Sequence, residues 1–354
     1  MKIATVIGAR PQFVKAAAVS RLLAARPGDR ELLIHTGQHY DRGMSAIFFS
    51  DLGIPEPACN LGIGSGSHGE QTGRMMIALE PVLLGERPDL LLVYGDTNST
   101  LAGALTAAKL HIPVAHVEAG LRSFNRRMPE EVNRELTDRL SRWLFCPTPA
   151  AVRNLADEGI RRGVFHSGDV MLDVHLLFAD LAEKRSTVLA DQGLRRGEYF
   201  LATLHRAENT NSPERLREIF AALGDLGSPV FLPLHPRTRK AVEVLGLGMA
   251  PSVRLADPVS YFDMVLLQKN ARAVLTDSGG MQKEAWFCRT PCITLRDETE
   301  WTETVEAGWN RLAGADREAI LAAVESFERQ APAGTIDAYG DGTSARKIVD
   351  ILTS

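Results

Sequence analysis

Carboxylates, histidines and small residues stand immediately behind short apolar runs along this chain, a placement that could support proton transfer and phosphate binding. Asp96 follows LLLVY, Glu118 follows AHV, and Glu130 lies in the first turn of a helix opened by Pro129. Ligands of open α/β sheets bind beyond the carboxyl ends of the strands, so residues just after each run carry the most weight. Carboxylates brought close together push their pKa values apart, which suits proton transfer. Each has a plainer role open to it. Asp96 could cap the next helix, Glu118 could pair with Arg122, and Glu130 and Glu131 could answer a helix dipole. His205 follows YFLATL and is a candidate general acid or base, or a hydrogen-bonded structural histidine. His235 repeats that placement after FLPL; it and Arg206 are candidate substrate contacts.

Two segments could hold phosphate. In Gly8-Ala9-Arg10-Pro11, Pro11 suits a first helical turn, and Arg10 and Lys15 flank a helix N-terminus that favours an anion. Ser278-Gly279-Gly280, behind AVLT, would present free N–H groups at another helix start. Glu284, about a turn and a half later, could accept both hydroxyls of a ribose, and Arg296 adds a positive charge on the same edge. The dinucleotide pattern GxGxxG is absent from the first turn. Gly62, Gly64 and Gly66 follow no convincing strand and read as a loop.

These residues need elements that place them. Candidate strands are Lys2 to Ile7, Glu31 to Thr36, Leu90 to Tyr94, Val114 to Val117 and Leu144 to Pro147, with helical stretches between. A second series runs through YFLATLH, PVFLPLH, ARAVLTD and PCITLR. The pattern predicts an α/β protein of two Rossmann-like, doubly wound domains. The join falls within Asp169 to Arg195, giving domains of 1–170 and 171–339, and a last helix runs from Ser344, its possible cap, to Leu352.

A length of 354 residues is enough for two cores. The net charge of −4 argues against a general nucleic-acid binder. No apolar stretch approaches the roughly 20 residues that span a bilayer, and the N-terminus lacks the features of a signal peptide, so a cytoplasmic protein is expected. The four cysteines, at 59, 146, 288 and 292, show no metal or disulfide spacing and read as small buried hydrophobes.

GARPQFVK, HTGQHYD, YGDTNST, HVEAGLRS, MPEEVNR, HRAEN and DSGGMQKEA occur in this order over nearly the whole chain. Together they resemble the non-hydrolysing UDP-N-acetylglucosamine 2-epimerase family, and their joint order is highly specific. The resemblance implies the GT-B arrangement, two Rossmann-like domains facing a central cleft, with the C-terminal helix of about 340–354 returning to the first domain. It implies UDP held in the second domain by Ser278, Gly279 and Gly280, joined by Arg10, with Glu284 on the ribose. Asp96, Glu118 and Glu130 match the family's acidic catalytic positions, His205 its catalytic histidine and Lys15 a substrate-binding lysine. It implies a homodimer that needs neither metal nor nicotinamide.

The chain departs from the best-known branch at Trp301, where that branch has an arginine after Thr-Glu, and at Val259 and Met264 on the uracil side. GSGSHGEQTGR differs from the stretch lining a regulatory site in some bacterial members. GARPQF and TEW look closer to a branch acting on UDP-2,3-diacetamido-2,3-dideoxy-glucuronate. UDP-N-acetylglucosamine is the first expectation and that uronate the alternative. A GT-B glycosyltransferase would need an acceptor pocket, and a non-catalytic sensor would not need the four acid–base candidates.

Overall fold

The computed structural model describes residues 1–38, 55–234, 236–334 and 337–354, and the side chains of Arg10, Pro236 and Arg237 fall outside that description. His235 and the last three residues of HTGQHYD therefore lie outside the described residues. The chain divides into two compact units, Met1–Val174 with Asp337–Ser354, and His175–Ile336.

In the first unit β1 (Lys2–Ile7), α1 (Arg10–Ala24), β2 (Arg30–His35) and β3 (Cys59–Asn60) come first. Next are α2 (His68–Glu86), β4 (Leu90–Tyr94), α3 (Asn98–Lys109), β5 (Val114–Val117) and α4 (Pro129–Leu140). Then follow β6 (Trp143–Cys146), α5 (Pro149–Asp157), β7 (Val164–His166) and α6 (Val170–Arg185), within which the division falls. All strand pairings are parallel, in the order β3-β2-β1-β4-β5-β6-β7. Alternation along β1 splits the core in two. Ala4 and Val6 pack with Met75, Leu79 and Leu83 of α2 and Ala102 of α3. Thr5 faces the other way, donating to Glu31 Oε1, which also accepts from Ser20 of α1. Helices therefore cover both faces, and the strands read as continuous apolar runs because neither face meets water.

The second unit contains α7 (Val188–Asp191), β8 (Phe200–Thr203), α8 (Ala207–Thr210), α9 (Pro213–Asp225), β9 (Val230–Pro233), α10 (Pro236–Val244) and β10 (Val253–Ala256). It continues through α11 (Tyr261–Asn270), β11 (Ala273–Thr276), α12 (Gly279–Phe287), β12 (Cys292–Thr294), α13 (Thr302–Glu306), β13 (Asn310–Leu312) and α14 (Arg317–Arg329). Its parallel sheet has the order β10-β9-β8-β11-β12-β13. Phe200 and Ala202 pack towards α9 and α14, while Tyr199 and Leu201 pack towards α11 and α12. Both sheets have the doubly wound order, with the direction of winding reversing between β1 and β4 and between β8 and β11.

The last helix, α15 (Ser344–Leu352), belongs to the first unit and packs on α1. Ser344 is not its cap. Asp173 of α6 caps it, accepting from Ser344 N at 3.2 Å and Ala345 N at 2.8 Å. The four cysteines are free; Cys146 and Cys292 are buried as expected, but Cys59 and Cys288 are only partly so.

Candidate active site

The expected residues of the first unit gather where β1 and β4 part. Gln12 builds the turn after β1. Its Oε1 accepts from Gly8 N at 2.8 Å and Ala9 N at 3.0 Å, and its Nε2 donates to Tyr94 O at 2.8 Å and Thr100 Oγ1 at 3.0 Å. One buried amide thus ties the end of β1 to the end of β4. The close approach at Gly8 is to the protein's own hydroxyls: a Cβ there would stand 2.0 Å from Thr36 Oγ1 and 2.2 Å from Ser99 Oγ.

Lys15 reaches forward from α1 and pairs with Glu118 at 2.6 Å. Gly95, at φ +63°, turns the chain over this pair. A Cβ at Gly95 would be 3.3 Å from Lys15 Nζ and 3.6 Å from Glu118 Oε1. Asp96 follows and pairs with Arg134 of α4, which also holds Glu131 at 2.6 Å. Burial pushes the Asp96 carboxyl up, but the Arg134 and Lys15 charges and the Arg134 hydrogen bond outweigh it, leaving it below the usual range; the Glu118 charge opposes them. Two carboxylates and two cations thus share one field. Thr97, not Asp96, caps α3, accepting from Thr100 N at 3.3 Å.

Glu118 occupies the left-handed region at φ +73° without being glycine. Such a conformation costs about 1–3 kcal/mol and persists where the surroundings impose it, often at functional sites. Here Glu118 N and Ala119 N both donate to Phe145 O at 3.1 Å. Arg122, the partner that spacing offered, is held by Asp138 at 2.8 Å and Glu158 at 2.6 Å. Buried His116 completes this support, donating through Nε2 to Gly95 O at 2.7 Å and meeting Asp138 through Nδ1 at 2.8 Å.

The two glutamates in the first turn of α4 have different surroundings. Glu131 is fully buried and accepts from Ser123 N and Phe124 N, so it is spent on the loop that precedes the helix. Glu130 is partly exposed and lies four residues before Arg134, on the helix face that carries the Asp96 pair.

In the second unit His205 and Arg206 meet Asp277 where β8 and β11 part. Asp277, buried at the end of β11, accepts from His205 N at 3.1 Å, Arg206 N at 3.0 Å and Asn209 Nδ2 at 3.1 Å. Its carboxylate also meets His205 Nδ1 at 3.1 Å. Burial raises the Asp277 carboxyl, yet the His205 contact and the N–H bonds bring it below the ordinary value. With Nδ1 committed to a carboxylate and the ring 43% exposed, Nε2 is the nitrogen left to face a ligand. Ser278 stands at the N-cap of α12 with its side chain making no cap bond, followed by buried Gly279 and exposed Gly280. Glu284 accepts from Gln268 Nε2 at 3.0 Å. Arg296 is 1% exposed and donates to Glu300 at 3.0 Å.

A family model described as UDP-N-acetylglucosamine 2-epimerase matches residues 22–353. The chain belongs to the UDP-N-acetylglucosamine 2-epimerase family. It is accordingly an isomerase of the UDP-sugar 2-epimerase type. A UDP-N-acetylglucosamine 2-epimerase homolog of Methanococcus maripaludis is 51% identical, covering 99% of both chains. A UDP-2,3-diacetamido-2,3-dideoxy-D-glucuronate 2-epimerase of Pseudomonas aeruginosa is 50% identical with the same coverage. The crystal structure of the Methanocaldococcus jannaschii UDP-GlcNAc 2-epimerase with UDP-GlcNAc and UDP superposes with a TM-score of 0.94. It is 45% identical, and the match covers 100% of this chain and 99% of that one.

Gln12, His116, Arg134 and Asp277 lie within the motifs and Asp138 outside them, and none stands out there as a supporting residue. Gln12 had a readable signal, since glutamine at the third position of a helix can reach back to the N-cap amide. Asp277 had another, standing between an apolar run and the Ser-Gly-Gly turn. His116 had none, because it lies inside an apolar strand pattern.

Proposed function

We propose that this chain interconverts UDP-N-acetylglucosamine and UDP-N-acetylmannosamine by elimination and re-addition of UDP. The observation that carries this reading is the charge cluster at the β1/β4 break, where Asp96 and Glu118 each have their own cation. The sugar C2 proton is only weakly acidic, so direct deprotonation is costly. Elimination makes the step feasible. A carboxylate takes the C2 proton, the C1–C2 double bond forms, and the C1–oxygen bond to UDP breaks. Return of UDP to C1, with a proton delivered to the other face of C2, gives the epimer. Asp96, Glu118 and Glu130 are the candidates for moving protons, and His205 is the candidate acid for departing UDP. The first turn of α12 and Glu284 would hold the diphosphate and ribose, with Arg10, Lys15, Arg206, His235 and Arg296 as further candidate contacts. A cytoplasmic homodimer is the proposed working form.

A second reading has its own support. The 50% identity to an epimerase of UDP-2,3-diacetamido-2,3-dideoxy-D-glucuronate favours that uronate as substrate. Proton NMR in deuterated water, with each UDP-sugar offered alone, tests both. The epimer formed should carry deuterium at C2, and the faster substrate names the branch. No exchange with either sugar would overturn the proposal. Loss of turnover in Asp96→Asn and Glu130→Gln would tie it to the cluster.

A further inference from the structure

Helix α12 is nine residues long, and its first two residues are glycines. Glycine is a weak helix former, so this first turn needs support from outside the helix. Segment 296–304 supplies it. Gly279 and Lys283, four residues apart, share one helix face. A Cβ on Gly279 would stand 2.4 Å from Glu300 Oε1 and 3.5 Å from Trp301 Nε1, so this face lies directly on the segment. One turn further on, the Lys283 ammonium sits 3.7 Å from the centre of the Trp301 ring. Both side chains are buried, Lys283 at 1% exposure and Trp301 at 3%. Between these contacts, Gln282 Oε1 accepts from Thr299 Oγ1 at 2.6 Å and from Asn310 Nδ2 at 3.0 Å.

The neighbouring face is different. Gly280 is exposed, and a Cβ there would be 4.0 Å from Glu284 Oε1, its nearest neighbour. The helix therefore turns Gly279 and Lys283 to the segment and Gly280 away from it.

We infer that Lys283 and Trp301 are positioning residues for the diphosphate cradle. Glu300 and Trp301 border the helix at Gly279, and Trp301 meets it at Lys283 one turn on, which fixes the direction of its axis and so the aim of the N–H groups at its start. A desolvated cation–π contact holds the second point, and Thr299 braces the span between. The inference rests on the reading of Ser278, Gly279 and Gly280 as that cradle.

Calorimetric titration of the full chain with UDP, alongside a thermal midpoint for each variant, tests it. Lys283→Met keeps the side-chain length and removes the cation; its affinity for UDP should fall about tenfold. Thr299→Val, which keeps the shape and removes the hydrogen bond to Gln282 and the one accepted from Trp301 N, should weaken UDP about threefold. Lys283→Arg should restore binding to near wild type, and in turnover KM should move more than kcat. Wild-type affinity in Lys283→Met overturns the inference, as does a Lys283→Arg variant no better than Lys283→Met. Should Lys283→Met fail to fold, undiminished binding by Thr299→Val overturns it equally. A wild-type chain that does not bind UDP overturns the cradle reading itself, an outcome distinct from equal binding by wild type and variants.

Discussion

Glu118 is held in a left-handed conformation with its carboxylate 2.6 Å from Lys15. Replacing it with glutamine keeps the backbone and the shape but removes the proton-carrying group. We expect Glu118→Gln to lose at least about a hundredfold in turnover, the usual weight of a positioned acid or base. Affinity for UDP should stay within a few-fold, because the cradle residues belong to the other unit. Steady-state kinetics with calorimetry separates the two effects. His205 makes a complementary case. Asp277→Asn replaces the carboxylate on His205 Nδ1 with a neutral amide, and turnover should fall by about ten- to a hundredfold. That Asp96, Glu118 and His205 stand just past strand ends was legible from sequence because each follows an apolar run. Which polar residues are spent holding them was not. Arg134 reaches Asp96 across 38 positions, and Gln12 reaches Tyr94 across 82. Nothing local in the sequence records such pairings.

The elements were legible in proportion to their burial. Central strands buried on both faces form apolar runs, and β1, β4 and β5 have the bounds expected, while β2 and β6 are shifted by one residue. The four strands not foreseen, β3, β7, β10 and β13, are the four sheet edges. They are two to four residues long and largely exposed on one side, so their sequences carry little apolar signal. Helix α15 was legible to the residue, but its cap was not, because Asp173 lies 171 positions from Ser344. Asp173→Ala should cost about 1–2 kcal/mol through the lost cap. Hydrogen exchange would place the effect, with α15 amides losing protection first.

At the scale of the whole molecule, each doubly wound unit has its own core, so unfolding need not be a single transition. Trp286, Trp301 and Trp309 lie in the second unit and Trp143 in the first, so tryptophan fluorescence is weighted towards the second. His175 gives that unit a pH dependence. Burial, helped by the Lys269 charge, lowers its imidazole to about 4, and its Nδ1 is buried with no hydrogen-bond partner among the described residues. An unfolded chain binds the same proton with a pKa of about 6.5. The stability gained by keeping His175 neutral is therefore complete above that value and is lost as pH falls towards 4. The slope is about 1.4 kcal/mol per pH unit, or about 3 kcal/mol in all. Urea midpoints followed by tryptophan fluorescence at pH 7, 6 and 5 should show this loss, and His175→Met should flatten it.

The return of residues 337–354 to the first unit also sets an order of events during synthesis. The second unit is a continuous insertion in the first, so all of its residues leave the ribosome before the first unit has its last helix. At ordinary elongation rates the stretch 175–336 takes roughly ten to thirty seconds to make. Through that interval the apolar side of α1 that α15 will cover is open, and the nascent chain carries it as a sticky surface. A stop codon just before Asp337 would leave that surface uncovered for good, yielding a chain whose second unit folds and whose first unit is prone to chaperone capture and aggregation.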